Sequence, residues 1–218
     1  MLPLTKLRAL LWNHLWRAVS EEAPEVLDDL RTLQPVYAAA VGAIEKNRVY
    51  NWFSLERACH DPGCDAALLQ LRDAIRTWAG RWSLSGPAEP LEAAFSALTL
   101  WQVEPTLPFG DGVVRLVDKG EVATLPPELP VYDPFVEPFP DFEHRARTIF
   151  EEWLRDNKEH AALVRDRPEI ERHARWLALR IKGCTYSKII DLDGLPISED
   201  TVQHAVKRLT AELGLNQL

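Results

Sequence analysis

Ten of the sixteen prolines lie between Pro87 and Pro140. Proline has no backbone N–H and its ring clashes with the preceding helical turn, so so dense a stretch excludes long helices and central strands. The chain is thereby divided, and the patterns on either side are helical. Leu4, Leu7, Leu10, Leu11, Leu15 and Trp16 fall at helical spacing, with Lys6, Arg8, Asn13 and Arg17 between them. A second stretch starts near Ser20, with Glu21, Glu22 and Glu25 where a helix N-terminus favours negative charge, and runs through Leu33 until Pro35 kinks or ends it. A third covers Val36 to Lys46, and a fourth Asp65 to about Trp82. The expectation is a mostly α protein in which residues 1–104 form a helical domain for oligomerisation or sensing.

Leu91 to Val103 reads as one further helix. Residues 105–140 are expected to be a proline-rich extended connector. Within it Val113–Val117, Asp118-Lys119-Gly120 and Glu121–Leu125 suit a small β-hairpin. The run from Pro126 to Pro140 is rich in Val, Tyr and Phe, unlike a solvated linker, and reads as a segment packed along a surface. Tyr132, Phe135, Phe139 and Phe142 are its expected anchors. Residues 141–218 are helical again. Asp141 is expected to cap a long helix through Ile149, Phe150, Trp153 and Leu154, and another helix runs from Pro168 to Lys182.

Composition narrows the function. Eight Trp, seven Phe and four Tyr supply bulk for a core and exclude wholesale disorder. The formal charge of −8 excludes a general basic coat, so any nucleic-acid contact is local. No apolar run approaches the ~20 residues of a membrane span, and Ala9–Trp12 is too short for a signal-peptide core, which predicts a cytoplasmic protein without membrane contact. Three cysteines, an odd number, argue against a disulfide framework.

The most legible part is Glu169 to Leu215. A helix ends at Gly183, and a short one follows from Tyr186 to about Leu192. A turn with Gly194 and Pro196 leads to Ser198, an N-cap ahead of Glu199 and Asp200. The last helix runs to about Leu213 and Gly214 stops it. Val202, Ala205, Val206 and Leu209 form its buried stripe. Gln203, Lys207 and Arg208 lie away from it and His204 near its edge. Two short helices across a tight turn, preceded by a stabilising helix, is the helix-turn-helix plan.

Ile197 to Val202, followed by His204, Val206, Lys207, Leu209, Leu213 and Gly214, resembles the recognition helix of LuxR-type regulators and of the DNA-binding region 4 of sigma factors. Gly183 to Ile189 is similar to the start of their second helix. The turn is about two residues longer than the family's, and Ile190 stands where the family usually has a small residue. The resemblance implies a recognition helix in the major groove of double-stranded DNA, with Ser198, Thr201, Gln203 and His204 over bases or phosphates. It implies phosphate contacts from Lys188, Lys207 and Arg208. Residues 169–218 hold seven bases and seven acids, so the whole −8 lies in residues 1–168.

Other constellations carry less. Cys59-His60-x3-Cys64 has ligand types and a spacing that zinc can use, but no second pair, and Asp61-Pro62-Gly63 reads equally as a plain turn. The six histidines form no metal or catalytic motif. Glu151-Glu152 and Asp191 with Asp193 read as acids on solvated helix faces. Phe109-Gly110-Asp111-Gly112 lacks the Lys-Ser/Thr ending of a phosphate loop. Trp12 with Trp16, and Trp78 with Trp82, recur at i,i+4 and read as core. No cofactor and no enzymatic activity are expected. The preferred function is sequence-specific DNA binding in transcriptional regulation, as a homodimer or with a protein partner such as RNA polymerase. The alternative is a polymerase-associated, phage or mobile-element adaptor that uses the same module for protein contacts.

Overall fold

A computed structural model of the chain describes residues 4–109, 138–166 and 169–215. Among these residues there are ten helices and no strand. The hairpin expected at 113–125, the anchors Tyr132 and Phe135, and Pro168 lie outside the described residues.

The first six helices are α1 (Leu4–Glu22), α2 (Pro24–Arg31), α3 (Gln34–Asn47), α4 (Trp52–His60), α5 (Ala66–Arg81) and α6 (Glu89–Val103). The break after α1 falls at Ala23 and not near Ser20, because Pro24 takes the first helical position of α2. Pro35 plays the same part in α3. The helix α4 has no counterpart in the periodicity reading. Its N-terminus is closed by a capping box, in which Asn51 accepts from Ser54 N at 2.8 Å and Ser54 Oγ accepts from Asn51 N at 3.0 Å. A carboxylate from α6 completes it, since Glu92 accepts from Trp52 N at 2.8 Å. At the centre of this bundle α6 is buried nearly all round, through Ala93, Ala94, Phe95, Ala97, Leu98 and Trp101. It packs on α2, α3, α4 and α5.

Four more helices follow: α7 (Phe139–Asp166), α8 (Ile170–Ile181), α9 (Tyr186–Asp193) and α10 (Glu199–Leu213). Because α7 starts at Phe139, Asp141 is a first-turn acid and not a cap, and the extended connector stops short of residue 140. Its beginning packs on the bundle, whereas most of the run expected to pack, residues 126–137, lies outside the described residues. Pro105 O and Leu107 O accept from Arg31 at 2.7 and 3.0 Å, Leu107 O also takes the Trp101 indole N–H at 2.8 Å, and buried Phe109 sits against Trp16 and Trp101.

The expected two-domain layout is not supported. The strongest packing of α1 is on α8, not on the helices that follow it in the chain, and one continuous apolar core joins both ends of the molecule. The reason lies in α8. Ala174, Trp176, Leu177, Ala178, Leu179 and Ile181 are buried around most of its circumference, more than α9 and α10 can cover. The face of α1 carrying Leu11, Leu15, Ala18 and Val19 is buried too. Polar contacts follow the same seam. Arg175 Nε meets Glu22 at 2.6 Å and Lys182 Nζ meets Glu25 at 3.1 Å. Arg8 reaches from α1 to Leu213 O at 2.9 Å and Glu89 at 3.2 Å. Trp12, Trp16 and Trp78 are core, while Trp82 is half-buried and donates to Asp29 at 2.8 Å. Among the described residues, no helix is long and apolar enough to cross a membrane.

Candidate nucleic-acid interface

The helices α8, α9 and α10 pack on one another pairwise. Their shared core holds Leu177, Ile189, Val202, Val206, Leu209 and Leu213. Each boundary has a local cause. Thr185 caps α9 by accepting from Lys188 N at 3.2 Å. Gly194 ends α9 in the left-handed region, with φ of 70°, and donates its N–H to Ile190 O at 3.1 Å. The segment Leu195–Ile197 then turns the chain, with Ile197 half-buried against the core. Ser198 accepts from Thr201 N at 3.3 Å and starts α10.

The structure sorts the expected site residues into three groups. Ser198 and Thr201 are exposed but tied to each other, their hydroxyl oxygens 2.8 Å apart, so the pair serves the cap. His204, Lys207 and Arg208 share one exposed stripe, which Asp200 and Ala211 extend in either direction. Gln203 is half-buried at its edge. Lys188 is exposed on a separate helix, α9. Arg208 pairs with Glu212 at 3.1 Å, whereas Lys207 and Lys188 have no ion pair among the described residues. The stripe thus carries cations in its middle and the acids Glu199 and Asp200 at its leading end. Leu192 and Leu195 are exposed beside the turn.

Asp193 corrects the sequence reading of a solvated acid. Its side chain is only 4% exposed, and Oδ1 accepts the Trp176 indole N–H at 3.0 Å. There was a signal. The C-terminus of a helix carries partial negative charge, which disfavours an acid at its last position. A carboxylate placed there, just before a terminating glycine, needs a donor to offset that cost. Arg8 is the second residue that sequence reasoning missed, and no pattern marks a cation for the far end of α10, some two hundred residues on.

Of the candidate metal set only the two thiols are neighbours. Cys59 is buried, Cys64 half-buried and His60 exposed, and no group of three or more His, Cys, Asp or Glu suited to a metal occurs among the described residues. Burial and the neighbouring Cys64 thiol push Cys59 up to about 12, so it stays a neutral thiol. Comparison of the chain with protein-family models, with characterised proteins and with solved structures gives no match.

Proposed function

We propose that the protein binds double-stranded DNA through α10 and acts as a transcriptional regulator in the cytoplasm. The observation that carries this is the contrast between the two faces of α10. Val202, Val206, Leu209 and Leu213 are fully engaged in the core, while His204, Lys207 and Arg208 project together from the opposite face. A helix held rigidly on one side and open on the other suits insertion into a major groove. With Lys188, each chain offers three cations to phosphates, too few for tight binding alone. The reading therefore calls for two copies on paired half-sites, or for a protein partner such as RNA polymerase.

The test is salt. Two chains with three phosphate contacts each give a slope of about −5 in log K against log salt. The purified protein is incubated with fragmented genomic DNA, the bound fraction is sequenced, and the affinity of an enriched site is measured between 50 and 200 mM salt. Lys207→Ala with Arg208→Ala is expected to flatten the slope by about 2 per chain. Retention that ignores salt, or an unchanged double variant, overturns the reading.

A second reading has its own observation. Glu199 and Asp200 head α10, Arg208 is already paired, and Leu192 and Leu195 are exposed beside them. Those features suit an adaptor that docks a protein. Such docking weakens little with salt, so the same titration separates the two.

A further inference from the structure

Two of the three cysteines meet at the junction of α4 and α5. Cys59 lies in the last turn of α4, and Cys64 comes just before Asp65, the N-cap of α5. Between them the chain folds back tightly, where Asp61 O accepts from Gly63 N at 2.8 Å and from Cys64 N at 3.1 Å. Pro62 and Gly63 are residue types that such turns favour. The turn sets the Cys64 thiol beside that of Cys59. The two sulfurs differ in their surroundings. Cys59 is buried and belongs to the apolar core. Cys64 is half-buried and follows three exposed residues, Asp61, Pro62 and Gly63. Its Sγ donates to Asp65 O at 3.5 Å. An accessible thiol beside an inaccessible one divides the labour of oxidation: the first meets the oxidant and the second resolves the product. The third cysteine, Cys184, sits before α9 in another part of the chain.

We propose that Cys59 and Cys64 are a redox modification site, which hydrogen peroxide converts reversibly from dithiol to disulfide. The Cys64 sulfur attacks one peroxide oxygen and the O–O bond breaks. The second oxygen leaves as water with the thiol proton, and Cys64 becomes a sulfenic acid. The Cys59 sulfur then attacks Cys64 Sγ and the S–O bond breaks. The departing hydroxide takes the Cys59 proton, which leaves a disulfide and a second water. Two thiols are oxidised and one peroxide is reduced to two waters. A reducing thiol reverses the bond by exchange. Burial keeps Cys59 from the oxidant, but it has only to reach the sulfur beside it. Arg72 on α5 favours the Cys59 thiolate that closure needs, against burial and Glu56 on α4. The bond closes a loop of six residues across the junction of the two helices. The site lies outside α8, α9 and α10, so the inference does not rest on the DNA reading.

The experiment uses the whole reduced chain. It is exposed to hydrogen peroxide, then unfolded, alkylated and cut with trypsin. Cleavage after Arg57 and Arg72 leaves both cysteines in one peptide, residues 58–72, and Cys184 in another. By mass, the first peptide is expected to be two hydrogens lighter and to carry no alkyl group. It is expected to take up two alkyl groups if dithiothreitol precedes alkylation. Cys64→Ser alters a half-buried side chain, and is expected to leave Cys59 reduced and open to alkylation after the same treatment. The native geometry is read separately. A six-residue loop closed in the unfolded chain is expected to raise the Tm of the oxidised protein by about 4–8 °C over the reduced one. Two alkyl groups on residues 58–72 after peroxide, a sulfinic acid at Cys64 in place of the bond, oxidation of Cys59 in Cys64→Ser, or a Tm that fails to rise overturns the proposal. No DNA is present, so failure here leaves the α10 reading standing, and failure of DNA binding leaves this one standing.

Discussion

Helices α8 and α10 belong to the same three-helix unit and both carry cations at helical spacing, but they are opposites in how the protein uses them. α8 is covered by α1 on one side and by α9 and α10 on the other. Its cations are committed to structure. Arg172 pairs with Glu169 and lies over Trp176, Arg175 meets Glu22, and Arg180 donates to Cys184 O at 3.0 Å and lies over Tyr186. α10 is covered along one stripe, and Lys207 on its open face has no ion pair among the described residues. A cation at the rim of a buried helix is thus fixed within the protein, while one on a half-buried helix remains available to a partner. The same residue types have different uses because the packing of their helices differs.

The largest effect that tests this contrast is loss of volume in α8. Leu177→Ala removes a side chain with no solvent exposure from between α1 and α10 and is expected to cost about 2–5 kcal/mol. His204→Ala on the open face of α10 is expected to stay within about 0.5 kcal/mol. Denaturant midpoints of the two variants measure the difference. Similar losses would mean that α10 is covered on both faces, which would break the comparison and the reading built on it.

The next effect is at the far end of α10, where an open helix is pinned to α1. Gly214 has φ of 72°, a region that costs an L-residue about 1–2 kcal/mol. A Cβ there would also lie 3.0 Å from the Arg8 guanidinium that holds Leu213 O. Gly214→Ala is therefore expected to cost about 1–2 kcal/mol from the backbone, plus a steric part that vanishes in an Arg8→Ala background. A double-mutant cycle on unfolding free energies reads that coupling. Strict additivity would show that Arg8 does not press on the end of α10.

How much of this was legible follows from which forces are local. The caps at Ser198 and Gly214, the buried positions Val202, Val206 and Leu209, and the Pro24 and Pro35 starts all depend on residues within one or two turns. Two of these still differ from the sequence reading: the acids near Ser20 suggest a start earlier than Pro24, and Pro35 reads as the end of the second stretch and not as the first turn of the third helix. The nine-residue α4 is too short to show a period, and Glu92, forty residues away, helps to close its N-terminus. Pairing of α1 with α8 was invisible because periodicity shows that a face is buried but not which surface covers it. Asp193 reads as solvated for the same reason, its partner Trp176 lying on another helix.

The smallest effect is a titration at the seam between the two helices. His173 on α8 is half-buried beside Trp176, with ring centroids 5.2 Å apart. Burial lowers its pKa, Arg172 on its own helix and Arg208 on α10 lower it further, and Glu169 and Glu212 oppose them. The unfolded chain, with histidine near its ordinary 6.5, then binds the proton more readily than the folded one. The stability this site contributes is complete above pH 6.5 and declines as pH falls through 6.5 toward the lower folded value. The denaturant midpoint is expected to drop between pH 7.5 and 5.5, and His173→Gln to reduce that drop. Other groups titrate in the same window, so the difference between the two proteins is the quantity to read. Arg208→Ala sharpens the test, because it removes a repelling charge supplied by α10 and leaves α8 intact. If that variant shows the wild-type pH dependence, Arg208 does not face His173 and is held away from the seam, further committed to solvent than its pairing with Glu212 suggests.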